Sequence, residues 1–324
     1  MIMLFALVVM TGCEWLGPGD SPGPGNNNGT DNPSGGGEVQ QPEEPLFPPG
    51  SETVEGVKQP KGAVKTFDET LYYAGQMTMF FERTYIYDEL GRPARVDVIS
   101  HSYDNSGNEV GSPTRRSDNF FYLDDGTLEE RNRKEAGSAY LKARLNQQGL
   151  ITHLDNGYYD GSKWKSDHSC DIEYTDTYYR SAITNPTGTA PHENVPWTYT
   201  WNNDGDLHCA YENWPVGKEP DPDDIRTEYY FYTSDANPTL GAVFDITAQI
   251  VQGLEGFYFY GRGTAHLPSY VNTAYRNKAK TFSYKWSADK KSITEITIER
   301  WPFANDHDFS SLKYTHIWRF TYYQ

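Results

Sequence analysis

The sequence predicts a mainly β domain built as an antiparallel meander, with few short helices. Three observations carry this expectation. Aromatic or β-branched runs recur from Val64 to the C-terminus, Gly, Asn and Asp punctuate them, and few stretches have helical spacing. Asp-Gly between such runs is a strong hairpin signal, because glycine supplies the positive φ of a tight turn.

The N-terminal part reads differently. Residues 2–10, IMLFALVVM, form an unbroken apolar run, followed by Thr11, Gly12 and Cys13. A short apolar run ending in a small residue reads as an export signal. Cys13 directly after Gly12 resembles a bacterial lipobox, with Met10 where Leu is usual. That resemblance implies a lipidated Cys13 and a membrane reached through the lipid anchor. Residues 17–50 hold nine Gly and eight Pro, and no Lys or Arg precedes Lys58. Such a segment cannot bury enough apolar surface to offset its chain entropy. The expected organisation is a signal peptide over 1–12, a lipidated Gly/Pro/acidic tether over 13–62, and one β domain over 63–324.

Within the domain, Tyr85-Ile86-Tyr87 precedes Gly91, and Phe120-Phe121-Tyr122 precedes Asp125-Gly126. Trp197 to Trp201 precedes Asp204-Gly205, and Phe282 to Trp286 precedes Asp289. Each turn leads into a more polar strand, such as Arg95–Ile99, Leu207–Tyr211 or Ile293–Ile298. Strict alternation in the last puts Ile293 with Glu295 and Thr297, and Ile296 with Ile298 and Thr294. Neither face is then purely apolar. The best helical stretch is Gly241 to Gln252, where Val243, Ile246, Ile250 and Val251 share a face.

YIYDELGRPARVDV (85–98) and YKWSADKKSITEITI (284–298) resemble the strand–turn–strand units of a Bacteroidota lipoprotein family. Asn237-Pro238-Thr239-Leu240, Gly256-Phe257-Tyr258 and His266-Leu267-Pro268-Ser269 resemble its C-terminal half. The resemblance covers roughly residues 80–324. It implies a porin-like fold, a large curved antiparallel sheet forming an open or half barrel, and an outer-membrane or other envelope location. It implies no activity. Tyr85 to Arg92 is also similar to the YD repeats of large bacterial toxin shells.

Charge and motifs narrow the chemistry. Lys plus Arg is 28 and Asp plus Glu is 45, a net charge of −17. Nucleic acid is not an expected partner, since phosphate binding demands clustered Lys and Arg. A membrane-spanning barrel is not expected either. Glu129, Glu130, Arg131 and Arg133 in one strand-like run, and Glu295, Glu299 and Arg300 in another, interrupt the apolar alternation of a lipid-facing strand. No phosphate-loop, zinc-protease or serine-hydrolase motif is present. No metal or cofactor is expected. Asp221, Asp223 and Asp224, and Asp306-His307-Asp308, lack the spacing of a calcium loop and read as solvated loops. Cys170 and Cys209 leave two readings open, a disulfide in an oxidising compartment or two buried thiols.

The aromatic excess is the remaining lead, at 15% of the chain. Trp197, Tyr199 and Trp201 share one strand face and form the candidate binding platform. The expected function is a non-catalytic envelope lipoprotein binding a glycan or a protein partner. The alternatives are a hydrolase of polysaccharide or envelope polymers, marked by two carboxylates facing across a cleft, and a purely structural surface module.

Overall fold

The computed structural model describes residues 58–131, 137–184, 196–212, 227–238, 261–273, 276–300 and 313–324, with residues 168, 212 and 276–278 by backbone alone. The first eight strands are β1 (Val64–Tyr73), β2 (Gln76–Tyr87), β3 (Pro93–Ser102), β4 (Thr114–Tyr122), β5 (Thr127–Arg131), β6 (Ala139–Leu145), β7 (Ile151–Asp160) and β8 (Lys163–Tyr174). The second eight are β9 (Arg180–Thr184), β10 (Trp197–Trp201), β11 (Leu207–Glu212), β12 (Thr227–Ala236), β13 (His266–Thr273), β14 (Arg276–Trp286), β15 (Ile293–Arg300) and β16 (Tyr314–Tyr322). Each strand pairs antiparallel with its sequence neighbours, and β16 returns to β1.

The barrel is therefore closed, which corrects the open or half barrel expected above. The closing seam runs from Val64↔Tyr322 to Tyr73↔Tyr314. Closure removes both unpaired sheet edges. Nothing local in the sequence marks the pairing of a first strand with a last one. Among the described residues there is no α-helix. The stretch Gly241–Gln252 lies outside the described residues, as do Cys13, Asp221, Asp223, Asp224 and Asp306–Asp308.

The last residues assigned to the tether already belong to the barrel. The Gln59 side chain accepts from the Tyr87 N–H at 2.8 Å and donates to the Tyr87 carbonyl at 3.2 Å. The Gly62 N–H donates to the Tyr323 carbonyl at 2.8 Å.

Five hairpins at one end share a single construction: β2–β3, β6–β7, β8–β9, β10–β11 and β14–β15. Their loops open on Asp88, Asn146, Thr175, Asn202 and Ser287, and the residue three positions later donates its N–H to that residue's carbonyl. That later position takes a positive φ in every case. Gly91, Gly149 and Gly205 occupy three of them, but Tyr178 (66°) and Lys290 (57°) occupy the other two. Opening side chains cap the loop. Asp88 Oδ1 accepts from the N–H groups of Leu90 and Arg92, and Asn202 Oδ1 from those of Asp204 and Asp206, all near 2.9–3.0 Å. Immediately after each turn the register shifts by one residue, a β-bulge.

The bulge decides which side chains fill the barrel. In β15 the shift falls between Lys285↔Glu295 and Trp286↔Ile293. It turns Ile293 onto the same face as Ile296 and Ile298, and all three are buried. Glu295, Thr297 and Glu299 are left facing out. Strict alternation mixed the two faces because it could not anticipate the extra residue.

Sixteen strands enclose enough space for an aqueous channel. Here the end with the five matched hairpins is instead packed solid. Tyr85, Tyr87, Val96, Leu128, Leu141, Ile151, Leu207, Leu267, Val271, Ile293 and Ile296 lie between 0% and 1% exposed and belong to one continuous cluster. Inward tyrosines near this end tie it together. Tyr87, Tyr122, Tyr174, Tyr232, Tyr284 and Tyr322 donate to the carbonyls of Val64, Pro93, Ile151, Leu207, Pro268 and Ile293, at 2.6–2.9 Å. The Trp201 indole does the same to Arg180 at 2.6 Å. A buried carbonyl without a partner is costly, and each such bond contributes about 1 kcal/mol.

Candidate functional site

Register separates the inner from the outer face, and each is a possible site. Beyond the apolar plug the inner face turns polar. Glu69 accepts from Arg83 at 3.1 Å, from the Trp318 indole at 3.0 Å, and meets His316 at 3.2 Å. Burial opposes its ionisation, but His316, Arg83 and Trp318 outweigh burial and hold the carboxyl down to about 2. The Arg83 guanidinium lies against the rings of Phe67 and Phe81, at 4.7 and 4.9 Å. Further round, Glu228 joins Lys280 at 2.6 Å and accepts from Tyr230 at 2.5 Å. Asp118 accepts from Arg116 at 2.9 Å, and Glu130 from Tyr140 at 2.5 Å. These carboxylates are tied to cations or phenols, and Asp118 and Glu130 are 1% and 0% exposed.

The platform predicted from Trp197, Tyr199 and Trp201 faces this interior, which corrects the sequence reading. Their register partners Ile183, Ala210 and Leu207 are buried. Tyr199 is 4% exposed, with the Arg180 guanidinium 4.4 Å from its ring. Trp197 and Trp201 pack against the core, and Trp201 belongs to the ring of carbonyl-binding side chains. The three do share a face; it is the inner one.

The disulfide reading is also corrected. Cys170 on β8 and Cys209 on β11 are free and buried. Two strands separate them, so three inter-strand steps of about 4.8 Å exceed the ~7 Å span of a disulfide. They also face opposite ways. Cys170 pairs with inward Leu154, and Cys209 with outward Tyr229. Burial pushes Cys170 up to about 12 and Cys209 up to about 11, so neither carries a reactive thiolate near neutral pH. Among the described residues no group of three or more His, Cys, Asp or Glu could hold a metal ion.

The outer face is charged around much of its circumference. Arg319 and Lys285 flank Glu295 at 2.9 and 2.6 Å, and Arg131 and Lys142 flank Glu129 at 2.7 and 2.8 Å. His101 lies between Glu82 and Glu109, and His153 between Asp155 and Asp171. One sector differs. Over 208–211 of β11, 227–231 of β12, 270–272 of β13 and 281–283 of β14, no outward residue is acidic or basic apart from the His208 imidazole. Aromatic rings stand there instead. Tyr229 and Phe231 are 40% and 38% exposed and share one face of β12. Phe231 stacks on Tyr270 at 4.4 Å and 12°, and His208 meets Tyr229 edge-on at 6.2 Å.

Sequence reasoning missed this sector. Tyr229-Tyr230-Phe231-Tyr232 reads as a uniform aromatic run, and only the register with β11 and β13 shows which two rings point out.

Fold and wall together define a closed sixteen-stranded barrel with an apolar closed end and a largely charged exterior. Among solved structures, a porin-like protein from Bacteroides uniformis is similar in fold, with a TM-score of 0.57 and 12% identity over 82% of this chain and 100% of that one. A TcdB2–TccC3 structure aligns at a TM-score of 0.27 and 12% identity, over 71% of this chain and 13% of that one. No family model and no curated relative matches the chain.

Proposed function

We propose that this chain is a non-catalytic, lipid-anchored protein of the cell envelope whose barrel stands in water and holds a glycan or a protein partner on its outer wall. The observation that carries this reading is the polarity of the barrel. Apolar side chains fill the closed end, while Glu129, Arg131, Lys142, Glu295 and Arg319 point outward. A lipid-facing Lys or Arg costs about 2–4 kcal/mol at the bilayer midplane, and paired charges of this density suit water. The burial of Asp118 and Glu130, 1% and 0% exposed, supports binding over hydrolysis, which needs carboxylates that reach a substrate. The run 2–10 before Cys13 supports an anchor.

The full chain incubated with envelope and dietary polysaccharides should retain a ligand and release no shorter product. Release of oligosaccharides would overturn the reading. Labelling with a fatty-acid analogue should tag the wild type, and Cys13→Ala should be unlabelled and shed. Equal membrane retention of that variant would remove the anchor from the account.

A further inference from the structure

We propose that the sector formed by Tyr229, Phe231 and Tyr270 is a binding site for a neutral carbohydrate; this rests on the reading of the protein as a binding barrel. The rings come from adjacent strands and are held by the sheet. Tyr229 pairs with Asn272 and Phe231 with Tyr270 across β12 and β13, and Tyr270 pairs with Thr281 across β14. The stacked Phe231–Tyr270 pair fixes both rings against rotation.

The chemistry of the sector selects the ligand. Sugar rings present C–H faces that pack on aromatic rings, and hydroxyls that exchange hydrogen bonds with amides, hydroxyls and imidazoles. Asn272, Thr281 and His208 border the rings with those groups. Among the described residues, acidic and basic side chains flank other parts of the outer wall; Glu299, opposite Thr281, is already paired with Lys313 at 2.5 Å, so the sector itself offers a charged ligand no counter-ion. The net charge of −17 repels an anionic polymer as a whole. An uncharged glycan meets neither obstacle. A rigid aromatic surface also binds at low entropic cost, since two-torsion side chains lose little freedom.

The test uses the full chain with cellohexaose, maltohexaose and mannohexaose as neutral probes and an oligogalacturonate as the anionic one, read by calorimetry. At least one neutral probe should bind, with little dependence on salt, and the anionic probe should not. The double variant Tyr229→Ala, Phe231→Ala should weaken that binding at least tenfold while Tyr158→Ala, exposed elsewhere on the barrel, leaves it unchanged. Thermal melting of the double variant should stay close to wild type, so that lost binding is not lost folding. Undiminished neutral-sugar binding by the double variant would place the site elsewhere and leave the binding reading intact. No binding of any neutral probe at millimolar concentration, or preferred binding of the anionic one, would overturn the assignment of a neutral carbohydrate. Cleavage of a probe would instead overturn the non-catalytic reading itself.

Discussion

Two aromatic groups, on β10 and on β12, are built from the same residue types and do opposite things. Trp197, Tyr199 and Trp201 turn inward, where Tyr199 supports a buried guanidinium and Trp201 binds a carbonyl. Tyr229 and Phe231 turn outward and remain partly exposed on the outer wall. Composition cannot distinguish them. The difference is one of parity along the strand, fixed by pairing with neighbours and by the bulge after each turn. An aromatic row is therefore a candidate surface only after its register is known.

That contrast can be broken by mutation. Tyr199→Ala empties a core position and should cost about 3–5 kcal/mol in a denaturant titration. The double change Tyr229→Ala, Phe231→Ala should cost far less, about 1 kcal/mol or below, in keeping with partly exposed sites. Equal losses in the two experiments would mean the outer sector is covered.

The closed end offers a second large effect. Arg92 and Asp88 form a buried ion pair at 2.6 Å, each side chain 2% exposed, with the guanidinium 3.7 Å from the Tyr122 ring. Arg92→Ala strands the Asp88 carboxylate and should cost about 3–5 kcal/mol. Removing the exposed Lys285, whose partner Glu295 keeps Arg319, should shift stability by less than about 1 kcal/mol.

The inner polar belt should make stability pH-dependent in one direction. Glu69 titrates at about 2 in the folded protein, below its ordinary 4.5. Its contribution is present above pH 4.5 and is lost as the pH falls towards 2. An acid limb on the order of 3 kcal/mol follows from a shift of this size. Glu69→Gln should flatten that limb in melting curves taken across pH 2–5. An unchanged limb would assign acid sensitivity to other carboxylates.

The smallest effects concern the matched turns. Gly205 holds φ at 85°, and a Cβ there would lie 2.5 Å from the Tyr179 hydroxyl, so Gly205→Ala should destabilise by about 1–2 kcal/mol. Lys290 occupies the equivalent position with a side chain, and Lys290→Gly should gain up to about 1 kcal/mol. Opposite signs at equivalent positions would show that the five hairpins are one module.

Much of this architecture was legible in the residues. Asp-Gly and Asn-Asp-Gly mark turns where turns are found, and the alternating runs beside them are strands. The three-residue spacing of Asp88 to Gly91, Asn146 to Gly149 and Asn202 to Gly205 was a further signal that pattern reading passed over. Tyr178 and Lys290 hide the same turn because neither advertises a positive φ. Closure was not legible, since Phe67↔Phe320 joins residues from opposite ends of the domain. Nor was the candidate site, because the bulges that set facing leave no fixed residue type behind them. Charge also speaks in the sequence: Glu129, Arg131 and Glu295 interrupt the apolar alternation of a lipid-facing strand, and the register turns all three outward.

The central claim is that the barrel wall faces water. Full-length protein in lipid vesicles, exposed to a lipid-soluble carbene photolabel and mapped by peptide, tests it most directly. The account expects label only in the N-terminal region around Cys13, with none on the strands. Label on outward residues of several strands, such as Thr297 of β15 and Ile317 of β16, would place the wall in lipid and contradict the account.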